Sequence, residues 1–272
     1  MTSHRKTVLP ILLLAAGLAS ADEKQPSKIE IRAGDRVLSN RPDDRGAIRV
    51  LFVGNSLTYW NEMPWLVEKI SAMKTPRLST SFVGGSGRSL RQQWQNAKTL
   101  RAIRERPWDY VVLQGQSSEP ATNREEFARY GRLLDAEIRK RGAKTVFFLT
   151  WANRGDPQGP ITQRYLALAR ELDAMVAPAG IAWQALQKTR RELYDGSGVH
   201  PNLQGSYLSA CVFYALFTGK SPVGLPHEFD VRFDIDEFYR RGLESERLSA
   251  SDALEIQTAA WAAVGDFLKG LR

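Results

Sequence analysis

From Ile48 onward, two kinds of apolar segment alternate along the chain. The first is a short, nearly continuous run: Ile48–Val53, Arg77–Val83, Tyr110–Leu113, Thr145–Trp151 and a shorter Gly180–Trp183. The second is longer and reads as helical, either periodic or apolar throughout: Met63–Met73, Ser89–Arg104, Arg124–Lys140, Ile161–Val176, Leu203–Phe217 and Ala250–Leu268. In the third of these, Phe127, Tyr130, Leu133, Leu134 and Ile138 fall on one helical face. Runs without polar alternation predict strands buried on both sides, and the periodic segments predict the helices that cover them. The expected fold is an α/β domain, a parallel sheet with helices on both faces. Ligands of such sheets bind outside the carboxyl ends of the strands.

Before Ile48 the pattern is different. Arg5 and Lys6 precede an apolar run, Val8 to Leu18, followed by Ala19-Ser20-Ala21. This predicts a signal peptide over residues 1–21, cleaved after Ala21, and a periplasmic or secreted protein. The run is short for a membrane span, so no stable insertion is expected after cleavage. Residues 22–46 are polar, with a β-like run at Lys28–Arg32, and read as an N-terminal extension to a single domain over 47–272.

Composition narrows the function. The 272 residues carry 38 Lys and Arg against 30 Asp and Glu, a net charge of +8. The basic residues are dispersed, which argues against a nucleic-acid partner. The only cysteine, Cys211, excludes an intramolecular disulfide and a Cys-based zinc site, and it lies in an apolar helical segment. Loss of the leader also removes His4, leaving His200 and His227 as the imidazoles available to a mechanism.

Candidate chemistry collects at the strand exits. The first strand ends in Gly54-Asn55-Ser56-Leu57-Thr58, where Ser56 is either a nucleophile presented at the sheet edge or a helix N-cap. The second ends in Gly84-Gly85-Ser86-Gly87-Arg88, which is either a plain turn or a loop whose glycines let backbone amides approach an anion. The third ends in Gln114-Gly115-Gln116, which supplies neutral amide donors of the kind that suits an oxyanion. His200 stands in the glycine-rich loop Asp195-Gly196-Ser197-Gly198-Val199-His200, just ahead of a helix. His227, in Leu225-Pro226-His227-Glu228, reads as a surface turn.

Together these loops resemble the SGNH hydrolase superfamily, also called the GDSL esterase/lipase family. Gly54-Asn55-Ser56 matches its serine block, with Asn where the name motif has Asp. Gly87 matches its glycine block, Gly115-Gln116 its third block with Gln in the Asn position, and His200-Pro201 its histidine block. The Gln variant looks most like a branch of uncharacterised bacterial members. The resemblance implies a three-layer, flavodoxin-like sheet, a nucleophilic Ser56 and His200 as its base. It also implies an oxyanion hole formed by Ser56, Gly87 and Gln116, and no metal or organic cofactor.

One block departs from the family. The acid expected three residues before the histidine is replaced by Ser197, and the nearest acid is Asp195. Either Asp195 completes a triad, or the site is a Ser–His dyad whose ring is oriented by a carbonyl or by Ser197. Asn55, Arg88, Trp60 and Trp151 are candidate substrate contacts. With the export signal, the implied activity is hydrolysis of a small-molecule or carbohydrate ester, with an acetyl group on a carbohydrate as the leading substrate. The alternative is a non-catalytic carbohydrate- or ligand-binding protein on the same fold.

Overall fold

The structure is a computed structural model that describes residues 36–38, 44–189, 191–228 and 248–270. All of these belong to one compact unit, Ile31–Arg272. The expected signal peptide and the β-like run Lys28–Arg32 lie outside the described residues.

Six strands form one sheet: β1 Arg36–Leu38, β2 Ile48–Gly54, β3 Leu78–Gly84, β4 Tyr110–Leu113, β5 Lys144–Phe148 and β6 Met175–Ala177. Their order is β1-β3-β2-β4-β5-β6. β2 to β6 are parallel, and β1 is antiparallel to β3 at one edge. The five parallel strands follow the flavodoxin-like order, and its switch point opens a crevice at the carboxyl ends of β2 and β4.

Alternation along β2 shows why the strands read as unbroken apolar runs. Val50 and Phe52 face one core and Leu51 and Val53 the other, all almost fully buried. The first core is closed by α2 (Met63–Ser71), α8 (Ala179–Gln187), α9 (Leu203–Thr218) and α10 (Ala250–Gly270). The second is closed by α3 (Leu90–Trp94), α4 (Ala97–Arg104), α6 (Arg124–Arg139) and α7 (Gln158–Glu171). Helix α9 packs against both α2 and α10, so it is apolar on nearly every side. Its thiol, Cys211, is sealed in that core.

Three expectations need correction. β1 lies inside the segment read as an extension, so the domain begins before residue 47. The single helix expected over Ser89–Arg104 is two, because Asn96 accepts from the Lys98 amide and starts α4 afresh. The strand expected at Gly180–Trp183 is part of α8, and the real strand, β6, lies just before it. A short apolar run fits either element. Here Gly180 lets α8 approach the end of β5: a Cβ on it would lie 2.3 Å from the Thr150 carbonyl oxygen.

Candidate active site

β2 delivers the nucleophile candidate. Asn55 caps the short helix α1 (Ser56–Tyr59) by accepting from the Leu57 amide. Ser56 therefore begins the helix directly at the carboxyl edge of the sheet. The Asn55 carboxamide also donates to the carbonyls of Arg88, at 2.9 Å, and Gly115, at 3.4 Å. An aspartate could not donate to either, which gives a physical reason for Asn at this position. Asn55 is 1% exposed, so it ties the three strand-exit loops together and is not a substrate contact.

Buried amides hold the base of this loop. Gln114 Oε1 accepts from the Asn55 amide and from the Thr58 hydroxyl, both at 2.9 Å. Gln93 donates through Nε2 to the Gly54 carbonyl at 2.6 Å and accepts through Oε1 from the Thr99 hydroxyl. Gly54 itself has no room for a side chain, since a Cβ would meet Thr58 Oγ1 at 2.3 Å.

His200 comes from outside the sheet, yet its Nε2 lies 2.9 Å from Ser56 Oγ. Three features hold the ring there. Trp60 stacks on it, with centroids 4.0 Å apart and planes 11° from parallel. Asn61 Nδ2 donates to the Pro201 carbonyl and to Ser206 Oγ, each at 3.0 Å. Tyr194 and Pro201 form an isolated antiparallel bridge at the base of the histidine loop. Trp60 thus covers one face of the imidazole. Trp151, the other tryptophan considered as a substrate contact, is 1% exposed. It stacks on Trp183 and donates to the Val199 carbonyl, so it belongs to the core and does not line the site.

On the far side of the ring, His200 Nδ1 is 3.3 Å from Ser197 Oγ and 3.9 Å from Asp195 Oδ2. The first is within hydrogen-bond reach and the second is not. Ser197 donates through both its amide and its hydroxyl to Asp195 Oδ1. The serine at the family's acid position therefore stands between the ring and the carboxylate. Burial lowers the His200 pKa and the Asp195 charge opposes it, with burial the larger effect. The imidazole therefore stays neutral, as a general base must, down to a lower pH than an ordinary histidine.

The other candidate donors lie in the loops that follow β3 and β4, on either side of β2. Among the described residues, the Ser56 and Gly87 amides have no hydrogen-bond acceptor. Gly87 adopts φ +64°, which favours glycine and turns the loop. Gln116 Oε1 accepts from the Ser118 amide and hydroxyl and the Glu119 amide at 3.0–3.1 Å. This fixes the flip of the carboxamide, and its Nε2 donates to Ser117 Oγ at 3.0 Å with one hydrogen to spare. Arg88 is half-buried beside Gly87 and gives its carbonyl to Asn55. Among the described residues no cluster of three metal-ligating side chains occurs, and no helix is long and apolar enough to cross a membrane.

Sequence reasoning missed Gln93, Asn61 and Glu119. Each is a polar residue just beyond a recognisable block. Only Glu119, an acid in the first turn of α5 (Glu119–Thr122), carried a visible local signal.

No family model and no curated protein matches the sequence. Solved structures do. A proposed SGNH hydrolase from Slackia heliotrinireducens is 28% identical, with 63% of this chain and 99% of that one aligned at a TM-score of 0.55. A DUF4886 family protein from Bacteroides uniformis aligns over 80% and 95% of the two chains at 17% identity and a TM-score of 0.62. An acetylxylan esterase from Geobacillus stearothermophilus aligns over 65% and 96% at 16% identity and a TM-score of 0.51. At those identities the last two establish the fold alone. In its fold the chain matches SGNH hydrolase structures, the superfamily that its strand-exit loops resemble.

Proposed function

We propose that this protein is an exported serine esterase that removes a small acyl group, an acetyl group on a carbohydrate, through an acyl intermediate on Ser56. The observation that carries this reading is the 2.9 Å contact between Ser56 Oγ and His200 Nε2. Ser56 Oγ attacks the acyl carbon while its proton passes to His200 Nε2. The oxygen that gains the negative charge is held by the Ser56 and Gly87 amides and by Gln116 Nε2. Collapse breaks the ester C–O bond, and the departing alkoxide takes the proton from His200. Water then repeats the sequence on the acyl-enzyme, releasing the acid and restoring Ser56.

The hydrogen-bond pattern around Nδ1 favours an indirect role for Asp195. An ionised carboxylate only accepts, so the Ser197 hydroxyl hydrogen points to Asp195, and its oxygen, which also accepts from the Val199 and His200 amides at 3.2 Å, faces the Nδ1 hydrogen at 3.3 Å. That tautomer leaves Nε2 free to take the serine proton. The contact between Ser56 and His200 also weighs against a purely binding protein, which has no use for a base at that distance.

The test is fluorophosphonate labelling with peptide mapping, alongside p-nitrophenyl acetate and octanoate and an acetylated xylan as substrates. A single adduct on Ser56, lost in Ser56→Ala and slowed on the order of 1,000-fold in His200→Ala, is expected. Acetate is expected to be cleaved faster than octanoate. Absence of an adduct on the folded protein would overturn the esterase reading, and faster cleavage of octanoate would overturn the small acyl group.

A further inference from the structure

In the loop after β4, the backbone amides of Gly115 and Gln116 are both taken up by buried side chains. Gly115 N donates to the Tyr165 hydroxyl at 3.1 Å, and Gln116 N to Glu119 Oε2 at 2.9 Å. The same glutamate oxygen accepts from Leu90 N at 3.2 Å. Leu90 opens α3 only three residues after Gly87. One buried side-chain oxygen therefore joins the chain that carries Gly87 to the chain that carries Gln116. Gly115 makes room for it: a Cβ there would lie 3.0 Å from Glu119 Oε2 and 3.0 Å from the Phe127 ring.

We propose that Glu119 is a positioning residue for the oxyanion hole, holding the Gly87 loop and the Gln116 loop at a fixed separation. This rests on the reading of Ser56 as the nucleophile. The side chain is 4% exposed, and among the described residues its second oxygen, Oε1, has no hydrogen-bond partner. Burial pushes the carboxyl up, while the amides of Gln116 and Leu90 hold it down. A group that uses one oxygen to accept two amides and leaves the other unpartnered requires reach and an acceptor, not charge. A glutamine can supply both from Oε1. An aspartate is one methylene short and cannot span the two amides. Hydrogen-bond donors to a transition state lose their effect when displaced by a fraction of an ångström, so the link bears on rate more than on substrate binding.

The experiment compares Glu119→Gln, Glu119→Asp and Glu119→Ala with wild type in kcat and KM on p-nitrophenyl acetate. It adds inhibition by an alkyl boronic acid, whose tetrahedral adduct on Ser56 fills the oxyanion hole, and thermal melting. Glu119→Gln is expected to stay within about threefold of wild type in kcat. Glu119→Asp is expected to lose about 10- to 100-fold in kcat, with boronate affinity falling in parallel and KM nearly unchanged. Glu119→Ala follows it, and Glu119→Asp decides the matter if the alanine variant does not fold. Full kcat in Glu119→Asp with only a lowered melting point would overturn the proposal, leaving Glu119 a purely structural residue. An impaired Glu119→Gln beside an active Glu119→Asp would overturn it in favour of a role for charge. Ser56→Ala is the control for the underlying reading: retained boronate binding there would sink the esterase reading instead.

Discussion

His200 sits between two serine hydroxyls, Ser56 on Nε2 and Ser197 on Nδ1. The arrangement predicts how Asp195 acts. Asp195→Asn is expected to lower kcat by roughly 10- to 100-fold, less than the loss typical of a carboxylate bonded directly to the ring. Ser197→Ala is expected to lose about as much, and the double variant no more than either alone, because both interrupt one chain of hydrogen bonds. The two differ in pH dependence. Asp195 opposes the downward shift of His200, so losing its charge lowers the imidazole pKa further. The acid limb of kcat/KM then moves to lower pH in Asp195→Asn and stays near its wild-type position in Ser197→Ala. Additive losses in the double variant would mean that the carboxylate reaches the ring without the serine. The pairing of Ser56 with His200 was legible because each stands in a polar loop with glycine beside it, at a strand end or helix start, where a core residue has no place. The bridge was not, since the two-residue displacement of the acid leaves its path to the ring open until the loop is folded. Nor can a sequence tell that Trp60 lies flat on the imidazole while Trp151 turns into the core.

At the scale of elements, the site depends on two strands ending side by side. Gly54 and Gly84 are register partners in β2 and β3, and a Cβ on Gly84 would fall 1.9 Å from the Gly54 carbonyl oxygen. The Gly54 carbonyl also accepts from Gln93. Gly84→Ala is therefore expected to force the strand ends apart and to destabilise the protein by about 1–3 kcal/mol. Chemical denaturation checks the stability, and labelling of Ser56 by a fluorophosphonate should slow in the same variant. Unchanged stability and labelling would mean that the strand ends yield without cost. Element type was legible where a period was long, as in α6, or where an apolar segment was too long for a strand, as in α9. It failed for β6 and α8, where Ala177-Pro178-Ala179-Gly180 joins two short apolar pieces and only the packing of Gly180 on Thr150 decides between them. The break at Asn96 could have been found from the cap residue itself.

The whole chain was the easiest scale to read for class. Continuous apolar strands between amphipathic helices leave few architectures other than a covered parallel sheet. The domain start was harder, because β1 has three residues and joins the sheet at its edge by pairing with β3. Export belongs to this scale as well. Expression of the full chain in a bacterial host is expected to give an extracytoplasmic product whose mass begins at Asp22. A product that keeps residues 1–21, or that stays in the cytoplasm, would remove the export half of the proposed function.

The two halves of the site are fastened differently. Ser56, Gly87 and Gln116 each follow one of three adjacent strands, whereas His200 rides on a surface loop joined to them by a stacked ring and a few hydrogen bonds. Change in the loop is therefore cheap for the fold, while change at the strand ends is not. It is the loop that differs from the family pattern, in the spacing of its acid. In such a scaffold the loop that carries His200 can be retuned by insertion and deletion, while the three strand ends that carry Ser56, Gly87 and Gln116 are held by the sheet itself.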